Sequence, residues 1–182
     1  MLRRLMARKI EAFEREWGYD MSYAREILAV GAGPLVTFMR ATAVGGYRGG
    51  LPDAVWHAAR VAAIVGEDCG PCAQLAVSMA ERAGVDAGLL RAVVAGDDAA
   101  LADDVRVAVG FVRAAAARSG ECDGLREAAK ARWGAAGVVA LTYALLASRM
   151  YPTVKYALGY GKTCMRVEVG GVAVAAWREA AA

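Results

Sequence analysis

The chain has 182 residues, is 58% apolar and carries a formal net charge of +3, so it is long enough to fold as one domain around a large core. The small charge, without a Lys/Arg cluster interleaved with aromatic residues, gives no support for nucleic-acid binding. The longest uncharged run, residues 133–148, is shorter than the ~20 residues that a bilayer-spanning helix needs. We therefore predict a buried helix there and no membrane partner.

Apolar residues recur at helical spacing along most of the chain, and glycine or proline interrupts them at intervals. The predicted helices are 2–17, 22–30, 35–44, 52–65, 69–83, 86–96, 98–118, 123–132, 137–148 and 152–159. The basic residues near the N-terminus are followed by acidic ones and not by an apolar segment, so no export signal is predicted. With four cysteines and no such signal, we expect a reducing, cytoplasmic location.

The pattern changes near the C-terminus. Residues 165–169 alternate between polar and apolar side chains, Gly170-Gly171 is a two-residue turn signal, and residues 172–174 continue the alternation. This predicts a small β-hairpin, with a frayed tail as the alternative. The fold class is therefore all-α, with a helical domain over residues 1–163 and a possible hairpin over residues 164–177.

The most informative stretch is Glu67-Asp68-Cys69-Gly70-Pro71-Cys72, which opens a predicted helix. Two thiols three residues apart lie on one helical face, close enough to form a small-ring disulfide. Asp68 is suited to cap the helix, and the unpaired N–H groups of its first turn favour a thiolate. The negative charges of Glu67 and Asp68 disfavour a thiolate, so the sequence leaves open whether the pKa of the thiols is raised or lowered. We interpret the pair as a redox-active dithiol.

Two other interpretations of the pair are less favoured. Cys-Gly-Pro-Cys is the sequence of the thioredoxin site, but that fold needs a strand before the motif, and residues 55–65 are predicted to be helical. Zinc needs two more ligands, and Cys122, Cys164 and His57 lack ligand spacing. No metal or other cofactor is predicted.

The order of these segments resembles the carboxymuconolactone decarboxylase/alkylhydroperoxidase D-like superfamily. The similar features are the approach Leu51-Pro52-Asp53, the Cys-x-x-Cys helix, the long helix 98–118 and the late segment 149–159, within residues 25–160. The resemblance implies an all-helical bundle that assembles into trimers or hexamers. In the peroxidase branch it also implies a Cys-x-x-Cys pair that reduces hydroperoxides and is re-reduced by a dithiol donor.

The family's peroxidase motif has a Glu twelve residues before the first Cys and a His four residues after the second. Those positions are His57 and Ala76 here. If the two helices form a hairpin, the imidazole of His57 replaces that of the missing His and handles protons near the thiols. The alternative is a lone His with a structural hydrogen bond on an apolar helix. Glu67 is either a proton acceptor for the site or a solvated turn residue.

The predicted catalytic residues are thus Cys69, Cys72, His57 and Glu67, in a thiol-dependent oxidoreductase that reduces a small hydroperoxide or disulfide. The resemblance assigns the attacking thiolate to Cys72, whereas exposure at the helix end favours Cys69, so both stay open. A second hypothesis is a non-catalytic oligomeric scaffold or redox-sensing module. Lactone decarboxylation is weaker, since that reaction does not need a Cys-x-x-Cys pair.

Overall fold

The computed structural model describes residues 1–161 and 166–177, and it confirms an all-α fold with a small C-terminal hairpin. Eight helices precede one antiparallel pair of strands in this part of the chain. The helices are α1 (Leu2–Trp17), α2 (Ser22–Val30), α3 (Ala32–Thr42), α4 (Asp53–Val65), α5 (Gly70–Arg82), α6 (Ala87–Ala95), α7 (Asp103–Ala117) and α8 (Cys122–Ala157). The strands are β1 (Arg166–Val169) and β2 (Val172–Ala175).

Helix α4 is the centre of the main hydrophobic core. It packs against α5, α6, α7 and α8, and ten of its 13 residues are buried. Its sequence explains this position, because alanine and valine occupy almost the whole circumference and let neighbouring helices approach closely. The central helix therefore carries few polar side chains, and each of them must be accommodated within the protein.

Helices α1, α2 and α3 form a second, smaller hydrophobic cluster that includes Met6, Ile10, Tyr19, Tyr23 and Leu35. The end of α1 is tied to the end of α5 by Arg82, whose guanidinium lies 2.5 Å from Glu16 Oε1 and stacks 3.6 Å from the centre of the Trp17 ring. The two clusters thus face each other across α5. A cavity lies in the space between them.

Helix α8 differs from its prediction. The segments predicted as helices 123–132, 137–148 and 152–159 form one run of 36 residues, interrupted only at Gly134, whose φ of 65° is not helical. Pro152 lies inside the helix rather than at its start, and it is fully buried, so packing offsets the hydrogen bond that proline cannot donate. The preceding long helix starts at Asp103 rather than Asp98, which begins a short 3-10 turn.

By length and composition alone, α8 meets the criteria for a membrane-spanning helix, with a mean hydropathy of 1.2 over its most apolar 18 residues. It is the one helix of the described residues that does so, and a third of that window is buried inside the protein. The core helices of water-soluble proteins meet the same criteria, so this finding is weak evidence for a membrane span.

The predicted hairpin is confirmed, with β1 and β2 antiparallel and Val169 opposite Val172. Gly170 and Gly171 have φ angles of 58° and 74°, which the tight two-residue turn requires and which side chains with a Cβ rarely adopt. Val167 and Val169 are fully buried in the main core. The predicted boundary at residues 163 and 164 lies outside the described residues.

Gln74 on α5 fastens this hairpin to the helical bundle. Its Nε2 donates to the carbonyl of Glu168 at 2.9 Å, and its Oε1 accepts from the N–H of Glu168 at 2.8 Å. The side-chain amide therefore extends the hydrogen-bond ladder of β1 as a neighbouring peptide group would. A substrate-binding role for Gln74 is not needed to explain this residue.

We expect Gln74→Ala to lower the free energy of unfolding by about 1 kcal/mol, because two partly exposed hydrogen bonds are lost. Proteolysis should also cut the C-terminal segment faster. Ser78→Ala, on the same helix, is the control, because the Ser78 side chain makes no hydrogen bond within the described residues. Equal stability of the two variants in urea denaturation would contradict this role of Gln74.

Candidate functional site

A sharp turn between α4 and α5 positions the two cysteines. Asp68 has a φ of 51°, a left-handed conformation that few residues other than glycine adopt. The Tyr156 hydroxyl donates to the Asp68 carbonyl at 2.9 Å and holds this peptide from the side of α8. The cap of α5 is Cys69 itself, and no side chain caps the helix, so the predicted capping role of Asp68 is wrong. Asp68 belongs to the turn and lies one residue before the N-cap position, which is Cys69.

Cys69 and Cys72 form a disulfide across the first turn of α5, with their Cα atoms 5.3 Å apart. Pro71 lies in the same turn, where a helix makes no use of its missing N–H. The structure thus places both cysteines at a helix N-terminus, as the sequence predicts. It also buries them, since Cys69 has no exposed surface and Cys72 has 3%.

A cavity of about 760 Å³ separates the two hydrophobic clusters, and Cys72 is part of its wall. Cys69 is not among the residues that line it. The wall is largely apolar and comes from α1, α2, α3, α4, α5 and α8; it includes Met6, Phe13, Leu35, Ile64, Leu75 and Met79. Of the two cysteines of the disulfide, Cys72 is therefore the one that borders this cavity.

The hydroxyl of Tyr19 lies near the sulfur of Cys72. The distance from this hydroxyl to Cys72 Sγ is 3.7 Å, and Lys155 Nζ donates to the same hydroxyl at 3.3 Å. Tyr19 and Lys155 are both buried, with exposed fractions of 6% and 2%. Because the amine occupies the hydroxyl oxygen as a donor, the hydroxyl proton is available to point at the sulfur.

The protonation state of Tyr19 supports this orientation. Burial raises the pKa of Tyr19 well above its ordinary value, and an interaction with Tyr23 offsets only part of the increase. Burial likewise raises the pKa of Tyr23. Both hydroxyls therefore keep their protons at neutral pH. Tyr19 is a hydrogen-bond donor for a thiolate at Cys72.

Glu67 lies outside this cavity. Its carboxylate forms an ion pair with Arg149 at 2.7 Å, in a second cavity of about 110 Å³ that also includes Trp177. Burial raises the pKa of Glu67, and the charge of Arg149 acts in the opposite direction. The structure thus gives Glu67 a partner on α8 and no contact with the large cavity.

His57 is buried on α4 beside Trp56, whose ring it meets edge-on at 4.8 Å. Within the described residues its Nε2 has no hydrogen-bond partner, and it bonds to neither cysteine. Ala76 lines the large cavity, whereas His57 does not. Burial, reinforced by the charges of Arg60 and Arg48, lowers the pKa of His57 to about 4. The imidazole is therefore neutral at pH 7 and a weaker base than an ordinary histidine.

The structure thus brings together Cys69 and Cys72, but within the described residues neither His57 nor Glu67 hydrogen-bonds to them. It adds Tyr19 and Lys155, which the sequence analysis did not select. A signal for Lys155 does exist, because it is the only charged residue between Arg149 and Lys162 in an otherwise apolar region. Tyr19 has no comparable signal. No group of metal-ligating side chains occurs within the described residues.

The lowered pKa of His57 gives a testable pH dependence. Unfolded chains bind the proton below pH 6.5 and the folded protein only below about 4, so protonation favours the unfolded state between these values. Lowering the pH from 7.5 to 5 should reduce the free energy of unfolding of wild type by about 2 kcal/mol more than that of His57→Gln. Since His57 is the only histidine, the difference between the two proteins isolates its titration. Parallel pH profiles in denaturant titrations would show that His57 titrates normally.

Comparison of the chain with family models, with curated proteins and with solved structures gives no match in any of the three.

Proposed function

We propose that the protein is a thiol-dependent oxidoreductase in which the Cys69–Cys72 pair reduces a small hydroperoxide or disulfide. The observation that carries the proposal is the position of Cys72: it belongs to the disulfide, is one of the residues that line the large cavity, and its Sγ lies 3.7 Å from the Tyr19 hydroxyl. A reactive thiol needs substrate access and a group that stabilises its thiolate, and Cys72 has both.

The reaction with a hydroperoxide would start from the reduced pair. The Cys72 thiolate attacks the terminal oxygen, the O–O bond breaks, and the product alkoxide takes a proton to leave as an alcohol. Cys72 is now a sulfenic acid, and the Cys69 thiol displaces water from it to form the disulfide. A dithiol donor then reduces the disulfide by thiol exchange and becomes a disulfide itself. In this scheme Cys72 is the attacking residue and Cys69 the resolving one.

The burial of the pair restricts the electron donor. Cys69 has no exposed surface and Cys72 is reached from the cavity, so a folded protein cannot place its own thiols against either sulfur. The proposed donor is therefore a small dithiol or a slender dithiol arm that enters the cavity. A reducing cytoplasm is the compartment that supplies such a donor.

Tyr19 and Lys155 take over proton handling in this proposal. The hydroxyl of Tyr19 stabilises the Cys72 thiolate, and the amine of Lys155 holds that hydroxyl in place. His57 has no part in it, because it bonds to neither cysteine of the described pair. This arrangement accounts for an active pair without the Glu and His of the family motif.

One observation favours a second candidate, a redox-sensing module without turnover. Both sulfur atoms are almost completely buried, which slows exchange with any thiol in solution. A sensor would form and lose its disulfide once per signal and would not consume hydroperoxide continuously. Steady consumption of hydroperoxide in the presence of excess dithiol therefore distinguishes the enzyme from the sensor.

Self-association is the proposed quaternary state. Val139, Tyr143 and Leu146 lie on one face of α8 and are 38–49% exposed, an apolar stripe at helical spacing. Tyr47 extends this surface, since its ring packs against that of Tyr143 at 6.0 Å and is itself exposed. A second copy of the chain is the partner that the expected trimer or hexamer would place there.

The two cysteines should respond differently to substitution. In a background with Cys122→Ser and Cys164→Ser, reduced protein should lose both remaining thiols when cumene hydroperoxide is added. Cys69→Ser should stop at a Cys72 sulfenic acid that dimedone traps, because the resolving thiol is missing. Cys72→Ser should leave the Cys69 thiol intact.

Mass spectrometry of the dimedone adducts and a free-thiol count provide the measurement. Protein with Cys69 and Cys72 intact and only the two background serines is the control. A stable dimedone adduct at Cys69 in the Cys72→Ser protein would show that Cys69, and not Cys72, attacks the hydroperoxide. Survival of both thiols, while a known thiol peroxidase is oxidised alongside, would contradict the proposed function.

Tyr19→Phe should slow alkylation of reduced Cys72 by iodoacetamide at pH 7 by about 10-fold. The reason is the loss of one hydrogen bond to a charged sulfur, which contributes about 1.5–3 kcal/mol. Tyr151→Phe is the matched control, because Tyr151 lines the same cavity and its hydroxyl makes no hydrogen bond to Cys72. The same rate in all three proteins would exclude Tyr19 from thiolate stabilisation.

A further inference from the structure

Arg60 is a charged residue in an unusual position. It is the only arginine or lysine of α4, between Ala59 and Val61, which are completely buried. It lines the large cavity opposite the apolar residues of α1 and α3. A guanidinium at such a site needs compensation, because taking its charge out of water is costly.

The protein compensates Arg60 only in part. Its guanidinium lies 4.5 Å from the centre of the Trp56 ring, which gives a cation–π contact. Its Nε is buried and has no hydrogen-bond partner, and it forms no ion pair with any carboxylate of the described residues. Burial consequently lowers the pKa of Arg60 from its ordinary value. The group thus retains donor capacity that the protein itself does not use.

The other charged residues of the cavity wall are also positive. Lys9 and Arg40 line it and are exposed, whereas no aspartate or glutamate is among the described residues that form the wall. Apart from these cations and a few hydroxyl-bearing side chains, the wall is aliphatic or aromatic. A volume of about 760 Å³ is within the range of cavities that bind small molecules.

We infer that the cavity binds an amphipathic carboxylate whose acid group pairs with Arg60 and whose long apolar chain occupies the space between the two hydrophobic clusters. A carboxylate matches the planar donors of a guanidinium, and the apolar chain covers the residues contributed by α1, α3 and α5. A neutral apolar ligand would leave the guanidinium of Arg60 without an anionic partner.

The inference also specifies the substrate class, and for that step it rests on the proposed function. Cys72 and Arg60 belong to the wall of one cavity, so an acid held by Arg60 extends its chain along the same space as the sulfur. A hydroperoxide on such a chain gives an alcohol on the same acid after attack by Cys72. The substrate would then be a long-chain carboxylic acid that carries a hydroperoxide group.

The test measures ligand binding to the oxidised protein, in which the disulfide cannot react with hydroperoxide. Calorimetric titration with dodecanoate is compared with titration by dodecanol, which has the same chain and no charge. Arg60→Met should weaken dodecanoate binding at least about 10-fold and change dodecanol binding less than about 2-fold. Arg60→Lys should retain part of the preference for the acid. Arg15→Met, which removes an exposed arginine outside the cavity, should leave both affinities unchanged.

Absence of dodecanoate binding to wild type would overturn the inference, as would an equal loss of both ligands in Arg60→Met. The second result would mean that Arg60 only supports the cavity wall. Thiol loss with tert-butyl hydroperoxide, a small neutral substrate, separates this inference from the proposed function. Thiol loss without dodecanoate binding refutes the inference alone, and binding without thiol loss refutes the proposed function alone.

Discussion

The burial of the N-terminus of α5 against α4 is the constraint on which the rest of the site depends. The first N–H groups of a helix have no intrahelical partners and create a positive local potential. When this end of the helix is buried, the residues around it must be compatible with that potential. Here that end contains a disulfide, one peptide held in a left-handed turn at Asp68, and a hydroxyl from Tyr156 on the adjacent carbonyl. The turn thereby fixes the direction in which Cys72 points.

The second determinant is the separation of the apolar residues into two clusters. A single cluster would have closed over the cysteines, and the pair would then be a structural staple without access. The gap between the N-terminal helices and the bundle instead leaves Cys72 on a wall and Cys69 behind it. This asymmetry distinguishes two thiols that are equivalent in the sequence motif, and it is the basis for assigning attack to one and resolution to the other.

The polar groups near the cavity follow the same logic. Tyr19 and Arg60 line it and come from the segment after α1 and from α4, and Lys155 of α8 donates to the Tyr19 hydroxyl. Low local polarity strengthens a hydrogen bond to a thiolate and an ion pair with a carboxylate. The apolar wall and the few polar groups therefore act together, which is typical of small-molecule sites.

Much of the fold follows from local sequence. Helical spacing of apolar residues predicts the first six helices to within three residues at each end, and the Gly170-Gly171 turn predicts the hairpin, because both signals act between residues near in sequence. The seventh helix starts five residues later than predicted. The prediction failed within α8. Pro152 has the local properties of a helix start, but burial of its ring in the core outweighs the lost hydrogen bond and the helix continues.

By itself the sequence determined the all-helical class, the terminal hairpin and the pairing of Cys69 with Cys72, since these depend on spacing within a few residues. Only the tertiary structure decided what surrounds the pair. His57 and Glu67 precede it in sequence, yet the Nε2 of His57 has no hydrogen-bond partner within the described residues, and Arg149 of α8 binds Glu67. The side chains of Tyr19 and Lys155 are 136 residues apart and meet because two hydrophobic clusters pack against each other across α5. Such long-range packing leaves no mark in the spacing of residues along the chain.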